Sequence, residues 1–557
     1  MKQKRIGDLL IELGIINEEQ LKFALDKQKE TKKKIGQTLI DLGIISQEAF
    51  YEVLQMQYNI PFFDLNTAKL EPKIPKLISE DMARTHSLIP VKFEGDTLVV
   101  AMADPLDVFA QDDIKLITGF KIKAVISSPE AISNAINRYY DSLGNTDKVV
   151  SEYAEGFEEL TEEQIENDEV ANSPIVKLVN SILIQSIKEK ASDIHIEPFE
   201  SNVKVRLRVD GILKEVLTLP RITMNALVAR IKIIAKLDIS ERRIPQDGRV
   251  EMNVEEHHID MRVSILPTVF GEKIVIRLLD RSGIMLTKAQ LGFSKHNEEL
   301  FNKVLSVPEG IILITGPTGS GKSTTLYTVL REFNKPTLNV ITVEDPVEYR
   351  LEGINQVQTN AKAGLTFASA LRSILRQDPD IVMVGEIRDS ETAEIAARAA
   401  ITGHLVLSTL HTNDAASTLT RLVDMGIEPF MVGTAVKGIL AQRLVRRICK
   451  FCLKEQEATG REKMILGADI ESELIIAKGE GCIQCNNTGY KGRVGIHEIL
   501  LVNSEIQSMI TKGADANQLK ECALKNGMLT LQMSAAELVK EKITTVEELL
   551  RVTFSID

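Results

Sequence analysis

The sequence predicts a multidomain α/β chain whose C-terminal half is a parallel sheet wound around a glycine-rich loop. Three observations predict this. Gly316 to Ser323 reads GPTGSGKS and stands between the apolar run Ile311 to Ile314 and a helical stretch, Thr324 to Phe333. Strand, loop and helix follow one another in the order a P-loop requires. Downstream, apolar strands beginning at Ile341, Ile381 and Leu405 alternate with helical segments, the pattern of a doubly wound sheet. Finally, the chain has 557 residues. At roughly 100–200 residues per domain, a chain of this size holds about three to five domains.

Composition narrows the class. Hydrophobic residues are 44% and charged residues 26%, as in soluble globular chains, and the net charge of −12 gives no overall basic field for nucleic acid or anionic lipid. Tryptophan is absent and aromatics are 4%, so platforms for stacking single-stranded bases are scarce. The basic start MKQKR leads into a segment broken by Asp8, Glu12 and Gly14, which is not the apolar core of a signal peptide. No stretch reaches the roughly 18–20 apolar residues of a spanning helix. The expected location is therefore cytoplasmic, with any membrane attachment made through a partner.

The first 57 residues contain a repeat. Arg5, Gly7, Leu10, Gly14, Ile16, Leu21, Leu25 and Gln28 recur 29 positions later as Lys34, Gly36, Leu39, Gly43, Ile45, Phe50, Leu54 and Gln57. Each copy reads as a short helix stopped by Gly14 or Gly43, then a second helix opened by Asn17 or Ser46. A small α/β unit follows, with a strand over Asp96 to Ala101 and a helix over Pro129 to Tyr140. Between Asp141 and Glu169 stand eleven acidic residues and one lysine, which predicts an extended linker. Next comes an α+β unit: a helix from Ile175 to Lys190 and strands over Val203 to Arg208, His258 to Ser264 and Lys273 to Leu278.

The chemistry-bearing residues cluster after it. Gly316, Pro317, Thr318, Gly319, Ser320, Gly321, Lys322, Ser323 and Thr324 form a cradle whose backbone N–H groups converge on phosphate, backed by the positive end of a helix. Lys322 is expected at the β and γ phosphates of ATP, with Ser323 on Mg²⁺. One strand ends in Glu344, Asp345 and Glu348, and another in Glu386, Arg388 and Asp389. Acids at such edges face the ligand crevice of an open α/β sheet and hold Mg²⁺ or orient water. Glu348 and Glu386 are the stronger candidates. His411, at the end of a third strand, is placed to sense a γ-phosphate, while His404 has no assigned role. Cys449 and Cys452 make one CxxC pair and Cys482 and Cys485 another, a ligand set for a closed zinc site. A redox dithiol or a metal-free loop is the alternative. Lys450, Lys454 and Lys491 would offset thiolate charge, and Cys522 reads as a buried apolar residue.

In chain order, SDIHIEP (192–198), RVDG (208–211), RRIPQDGR (242–249), GPTGSGKST, EDPVEY, GEIRD (385–389) and GHLVLSTLHTNDA (403–415) resemble the secretion ATPase superfamily, and within it the type II secretion and type IV pilus assembly ATPases. The resemblance implies a RecA-like ATPase core at 290–557 with a zinc-binding insert at 445–495. It also implies a PAS-like α+β domain at 171–285, a docking domain at 61–140, and a linker at 141–170. A homohexameric ring is implied, hydrolysing ATP between subunits, with Arg262 and Arg277 reaching the phosphates and Arg242, Arg243 and Arg249 as further candidates. Guanidinium suits that task because it stays charged and forks onto phosphate. The partners implied are an inner-membrane platform protein and pilus or secretion assembly proteins, with no direct nucleic acid.

The insert and the long N-terminal region are similar to the assembly branch, since retraction ATPases are shorter and lack both. The doubled motif at 1–60 is similar to a cyclic di-GMP-binding domain. Its candidate residues are Arg5, Gly7, Leu10, Gly14, Leu21, Leu25, Gln28, Lys34, Gly36, Leu39, Gly43, Leu54 and Gln57. Lys34 keeps the charge of Arg5 but loses its planar stacking. The expected function is pilus extension, with type II secretion as the alternative and a DNA-translocating ring motor further behind.

Overall fold

The computed structural model describes residues 6–31, 35–45, 50, 53, 55–57, 60–65, 68, 70–71, 73–140, 174–254, 257–280 and 286–553. They fall into two compact units, the first made of residues 1–159 with 482–487 and the second of 160–481 and 488–557. The expected linker, together with Arg5, Lys34 and Leu54, lies outside the described residues.

In the first unit the repeat forms helices Ile6–Glu12, Glu18–Thr31 and Ile35–Asp41. Gly14 and Gly43 take φ of +70° and +67°, the left-handed stop expected of them. Asn17 caps the next helix by trading side-chain bonds with Gln20 at 2.8 and 2.9 Å. The two copies share one core, in which Leu10 pairs by position with Leu39 and Ile16 with Ile45. Behind the repeat, β1 (Leu88–Glu94), β2 (Thr97–Met102) and β3 (Lys121–Ile126) form a sheet in that order. β1 and β2 are antiparallel, whereas β2 and β3 are parallel and need a crossover, which helix Val108–Thr118 supplies.

The second unit begins with helix Pro174–Lys188. It stops two residues before the expected Lys190 because Lys190 itself turns left-handed, at φ +54°. Six antiparallel strands follow: β4 (Asp193–Pro198), β5 (Asn202–Val209), β6 (Ile212–Pro220), β7 (Gln246–Val254), β8 (His257–Thr268) and β9 (Gly271–Asp280), in the order β6-β5-β4-β9-β8-β7. The RVDG motif is the β5–β6 turn: Asp210 and Gly211 both have positive φ, +48° and +86°, which matches the twist of a tight hairpin. Asp210 then accepts from Gly492 N at 2.9 Å and pairs with Arg493, tying this sheet to the following core.

That core is the RecA-like parallel sheet. Its strands are β10 (Gly310–Thr315), β11 (Val340–Glu344), β12 (Asn355–Gln358), β13 (Ile381–Val384), β14 (Leu405–Leu410), β15 (Val436–Ile448) and β18 (Tyr490–Leu501). They lie in the order β12-β11-β13-β14-β10-β15-β18, all parallel except for the antiparallel edge strand β18. Every residue of β10, β11, β13 and β14 is buried, since helices cover both faces. Helix Ser390–Ile401 offers Ala393, Ala396, Ala397 and Ala400 to the sheet, small side chains that bring its backbone close. Between β15 and β18 the chain leaves the core as a small antiparallel pair, β16 (Leu453–Glu457) and β17 (Ile475–Gly479). No described helix is long and apolar enough to cross a membrane.

Candidate functional site

The P-loop leaves β10 at Thr315 and enters helix Lys322–Phe333. Gly316, Gly319 and Gly321 have φ of +148°, +78° and +88°, the conformations for which glycine is required. The Lys322 ammonium lies folded into the loop, donating to the carbonyls of Gly316 and Pro317 at 2.8 and 3.1 Å. Burial lowers its pKa, opposed by the charge of Glu386.

Glu386 stands beside this lysine because the backbone on either side of it is pinned. Gly385 N donates to Val343 O at 2.8 Å, Thr409 Oγ1 donates to Gly385 O at 2.7 Å, and Ile387 N donates to Thr409 O at 3.1 Å. The carboxylate accepts from Arg388 Nη2 at 2.6 Å and faces His411 Nε2 at 3.6 Å. Burial, then Lys322, lowers the pKa of His411, so its ring is neutral at pH 7. Thr412, the next residue, is tied to the end of β10, its N–H donating to Thr315 Oγ1 at 3.1 Å. Lys322, Glu386 and His411 thus form one cluster.

Glu348 lies in a second cluster. Arg262, on β8, forks both guanidinium nitrogens onto its carboxylate, Nη1 at 3.2 Å from Oε1 and Nη2 closer still to Oε2. The expected phosphate-reaching arginine therefore holds an acid of its own chain. Arg277 keeps to its own sheet, donating to Asp193 Oδ1 at 3.0 Å, and Arg249 forks onto the buried Asp260. Arg243 pairs with Glu241.

Glu344 belongs to neither cluster. It is buried and accepts from Tyr327, from Thr342 Oγ1 at 2.6 Å and from Gln356 Nε2 at 3.0 Å. Tyr327 in turn accepts from the backbone N–H of Glu348 at 3.1 Å, so this buried hub aims the half-buried acid. Sequence reasoning missed Tyr327 and Gln356. No local signal marks them: Gln356 stands among the polar Asn355, Gln358 and Thr359, and Tyr327 between Leu326 and Thr328. His404 is structural, its Nδ1 at 3.0 Å from Ala399 O.

The four cysteines gather with their Sγ atoms all within 4.8 Å of one another. Tetrahedral zinc with Zn–S of about 2.3 Å needs sulfurs about 3.8 Å apart. Cys482 and Cys485 are at 3.7 Å, and Cys482 N donates to Cys485 Sγ at 3.2 Å, a bond suited to a thiolate. The residues fit zinc. Of the lysines expected to offset the charge, Lys454 is engaged by Glu480 at 2.6 Å, and Lys491 lies over the Phe451 ring. Cys522 is buried, as expected of an apolar residue.

In the repeat, Leu10 and Leu39 are fully buried and pack the shared core. Gly7 and Gly36 admit the Leu21 and Phe50 side chains, which a Cβ would meet at 2.9 and 2.0 Å. Leu25 is 42% exposed.

A P-loop on a parallel sheet, with acids and a histidine at the neighbouring strand ends, defines a P-loop ATPase of RecA-like fold. Residues 168–551 match the family described as Type II/IV secretion system protein, and residues 58–146 match the MshEN domain. The chain belongs to the Type II/IV secretion system protein family. It is similar to the type IV pilus assembly ATPase PilB of Myxococcus xanthus, at 45% identity covering 98% of each chain. It is also similar to the type II secretion system ATPase E of Vibrio cholerae, at 47% identity covering 72% of this chain and 80% of that one. The X-ray structure of the ATPase DotB of Yersinia pseudotuberculosis shares the fold, with a TM-score of 0.51 and 21% identity over 68% of this chain and 93% of that one.

Proposed function

We propose that this chain is a Mg²⁺-dependent ATPase, working as a homohexamer, that drives assembly of type IV pili through an inner-membrane platform protein. One observation carries the choice of pilus: the relative named for pilus assembly matches 98% of this chain, N-terminal unit included, whereas relatives named for type II secretion match 71 to 88% of it. The 47% identity to the Vibrio cholerae relative keeps type II secretion as the second reading.

Catalysis follows phosphoryl-transfer logic. Gly316 to Thr324 bind the nucleotide, and Lys322 exchanges the carbonyls of Gly316 and Pro317 for phosphate oxygens, a charged partner for neutral ones. Ser323 would hold Mg²⁺, which neutralises phosphate charge when bound. Neutral His411 is able to donate toward a γ-phosphate or its water, while Glu386 or Glu348 orients that water. Arg262 holds Glu348 until a phosphate competes for its fork, which couples nucleotide arrival to release of the acid. Zinc held by Cys449, Cys452, Cys482 and Cys485 would be structural, since four ligands close the site. The repeat is a candidate effector site for cyclic di-GMP.

The test is a cell whose only copy carries Lys322→Ala, scored for surface pili by electron microscopy and for exported proteins. Bald cells with normal export are expected. Retained pili with exported proteins trapped inside would overturn the pilus reading in favour of secretion.

A further inference from the structure

A buried glutamine backs the phosphate cradle. Gln442 lies on β15, which runs parallel to β10, and is 2% exposed. Both ends of its amide are used on the P-loop side: Nε2 donates to the Ser320 carbonyl at 2.9 Å, and Oε1 accepts from the Thr325 hydroxyl at 2.7 Å. Its backbone carbonyl also abuts the loop, so that a Cβ on Gly316 would come within 2.4 Å of it, and one on Gly321 within 2.8 Å of Nε2. An amide donates and accepts at once without charge, which neither lysine nor an ionised carboxylate does. A polar residue inside a sheet strand is tolerated because both of its groups are bonded.

We propose that Gln442 is a positioning residue for nucleotide binding, holding the P-loop in its phosphate-ready shape before nucleotide arrives. The peptide group carries the effect. The Ser320 carbonyl and the Gly321 N–H share one trans peptide plane and point in opposite directions. Drawing the carbonyl back onto Gln442 turns the N–H the other way, toward the cradle. Bonding Thr325 fixes the first turn of the helix whose N-terminus faces the same place. A loop held this way loses less conformational freedom when phosphate binds. The inference rests on the assignment of residues 316–324 as the ATP site.

The experiment measures ATP affinity and steady-state kinetics of the full chain carrying Gln442→Met, which keeps the shape and removes both bonds. Dissociation constant and KM for ATP are expected to rise about tenfold, with kcat falling far less. Thr325→Val, isosteric and lacking one of the two bonds, should give a smaller rise, and the double variant should show less than the sum of the two effects. Native affinity in either single variant overturns the clamp, as does a fall in kcat with KM unchanged. Should Gln442→Met not fold, Thr325→Val carries the test alone. Lys322→Ala separates the two assignments: native ATP affinity there overturns the P-loop reading itself, whereas its loss beside a native-affinity Gln442→Met overturns the clamp alone.

Discussion

His497 shows how much a single side chain can set. It lies on β18 with its ring stacked on Phe293, centroids 3.9 Å apart, and its Nε2 is buried without a hydrogen-bond partner among the described residues. Complete burial pushes its pKa from 6.5 down to about 3. Between those values the unfolded chain binds a proton that the folded chain does not, so stability falls as pH drops through 6.5 and levels off near 3. One such proton contributes a slope on the order of 1 kcal/mol per pH unit. His497→Phe keeps a flat ring against Phe293 and removes the titration. Denaturant melts across this range should be shallower in pH for the variant, and equal slopes in the two proteins would refute the assignment. Glu498, the next residue, is also buried, which raises its pKa. It accepts from Ala415 N at 2.8 Å and Leu531 N at 3.2 Å, the first residues of two helices.

At the scale of elements, the cysteine insert depends on how closely two chain segments approach. Gly479 ends β17 and Gly489 precedes β18, and a Cβ on Gly479 would lie 2.0 Å from the Gly489 carbonyl oxygen. Backbone cannot swing aside as a flexible side chain can. Cys449 N donates to that same Gly489 carbonyl at 2.9 Å, so forcing the segments apart displaces the start of the first CxxC. Purified protein is expected to carry about one zinc per chain, as a closed tetrahedral site does. Gly479→Ala should lose most of it, measured by elemental analysis after dialysis against a mild chelator. Full retention in the variant would mean that this close approach does not shape the site.

Over the whole second unit, the ion pair of Arg262 with Glu348 joins the antiparallel sheet to the parallel one. Both groups are partly buried, at 25% and 28% exposed, so solvent screens the pair and its worth to stability is small. Its consequence is kinetic. If Arg262 moves from Glu348 to phosphate during turnover, Arg262→Ala loses transition-state charge stabilisation, and kcat should fall roughly 10²- to 10³-fold. Arg262→Lys keeps the charge without the fork and should fall between the two. Phosphate release at saturating ATP reads this directly, and an alanine variant within twofold of the native rate would remove Arg262 from the mechanism.

The sequence alone was enough to locate β10, β13 and β14 by the run Ile311 to Ile314 and the apolar starts at Ile381 and Leu405, because fully buried parallel strands are largely apolar. It also exposed the P-loop and the two CxxC pairs, whose spacing is local. Strands β8 and β9 run beyond the expected His258 to Ser264 and Lys273 to Leu278, because backbone pairing continues through Pro267↔Glu272 and Thr268↔Gly271, past the last buried apolar side chain. Only the tertiary structure decided which acid meets which partner. Glu344 and Glu348 are four residues apart and alike in sequence, yet Tyr327 and Gln356 bury one while Arg262 meets the other across 86 residues. Gln442 is likewise 122 residues from the carbonyl it bonds. Periodicity and turn chemistry are fixed by residues within a few positions of each other. The partner of a polar side chain is fixed by which strands the sheet brings side by side, and that depends on the packing of the whole chain.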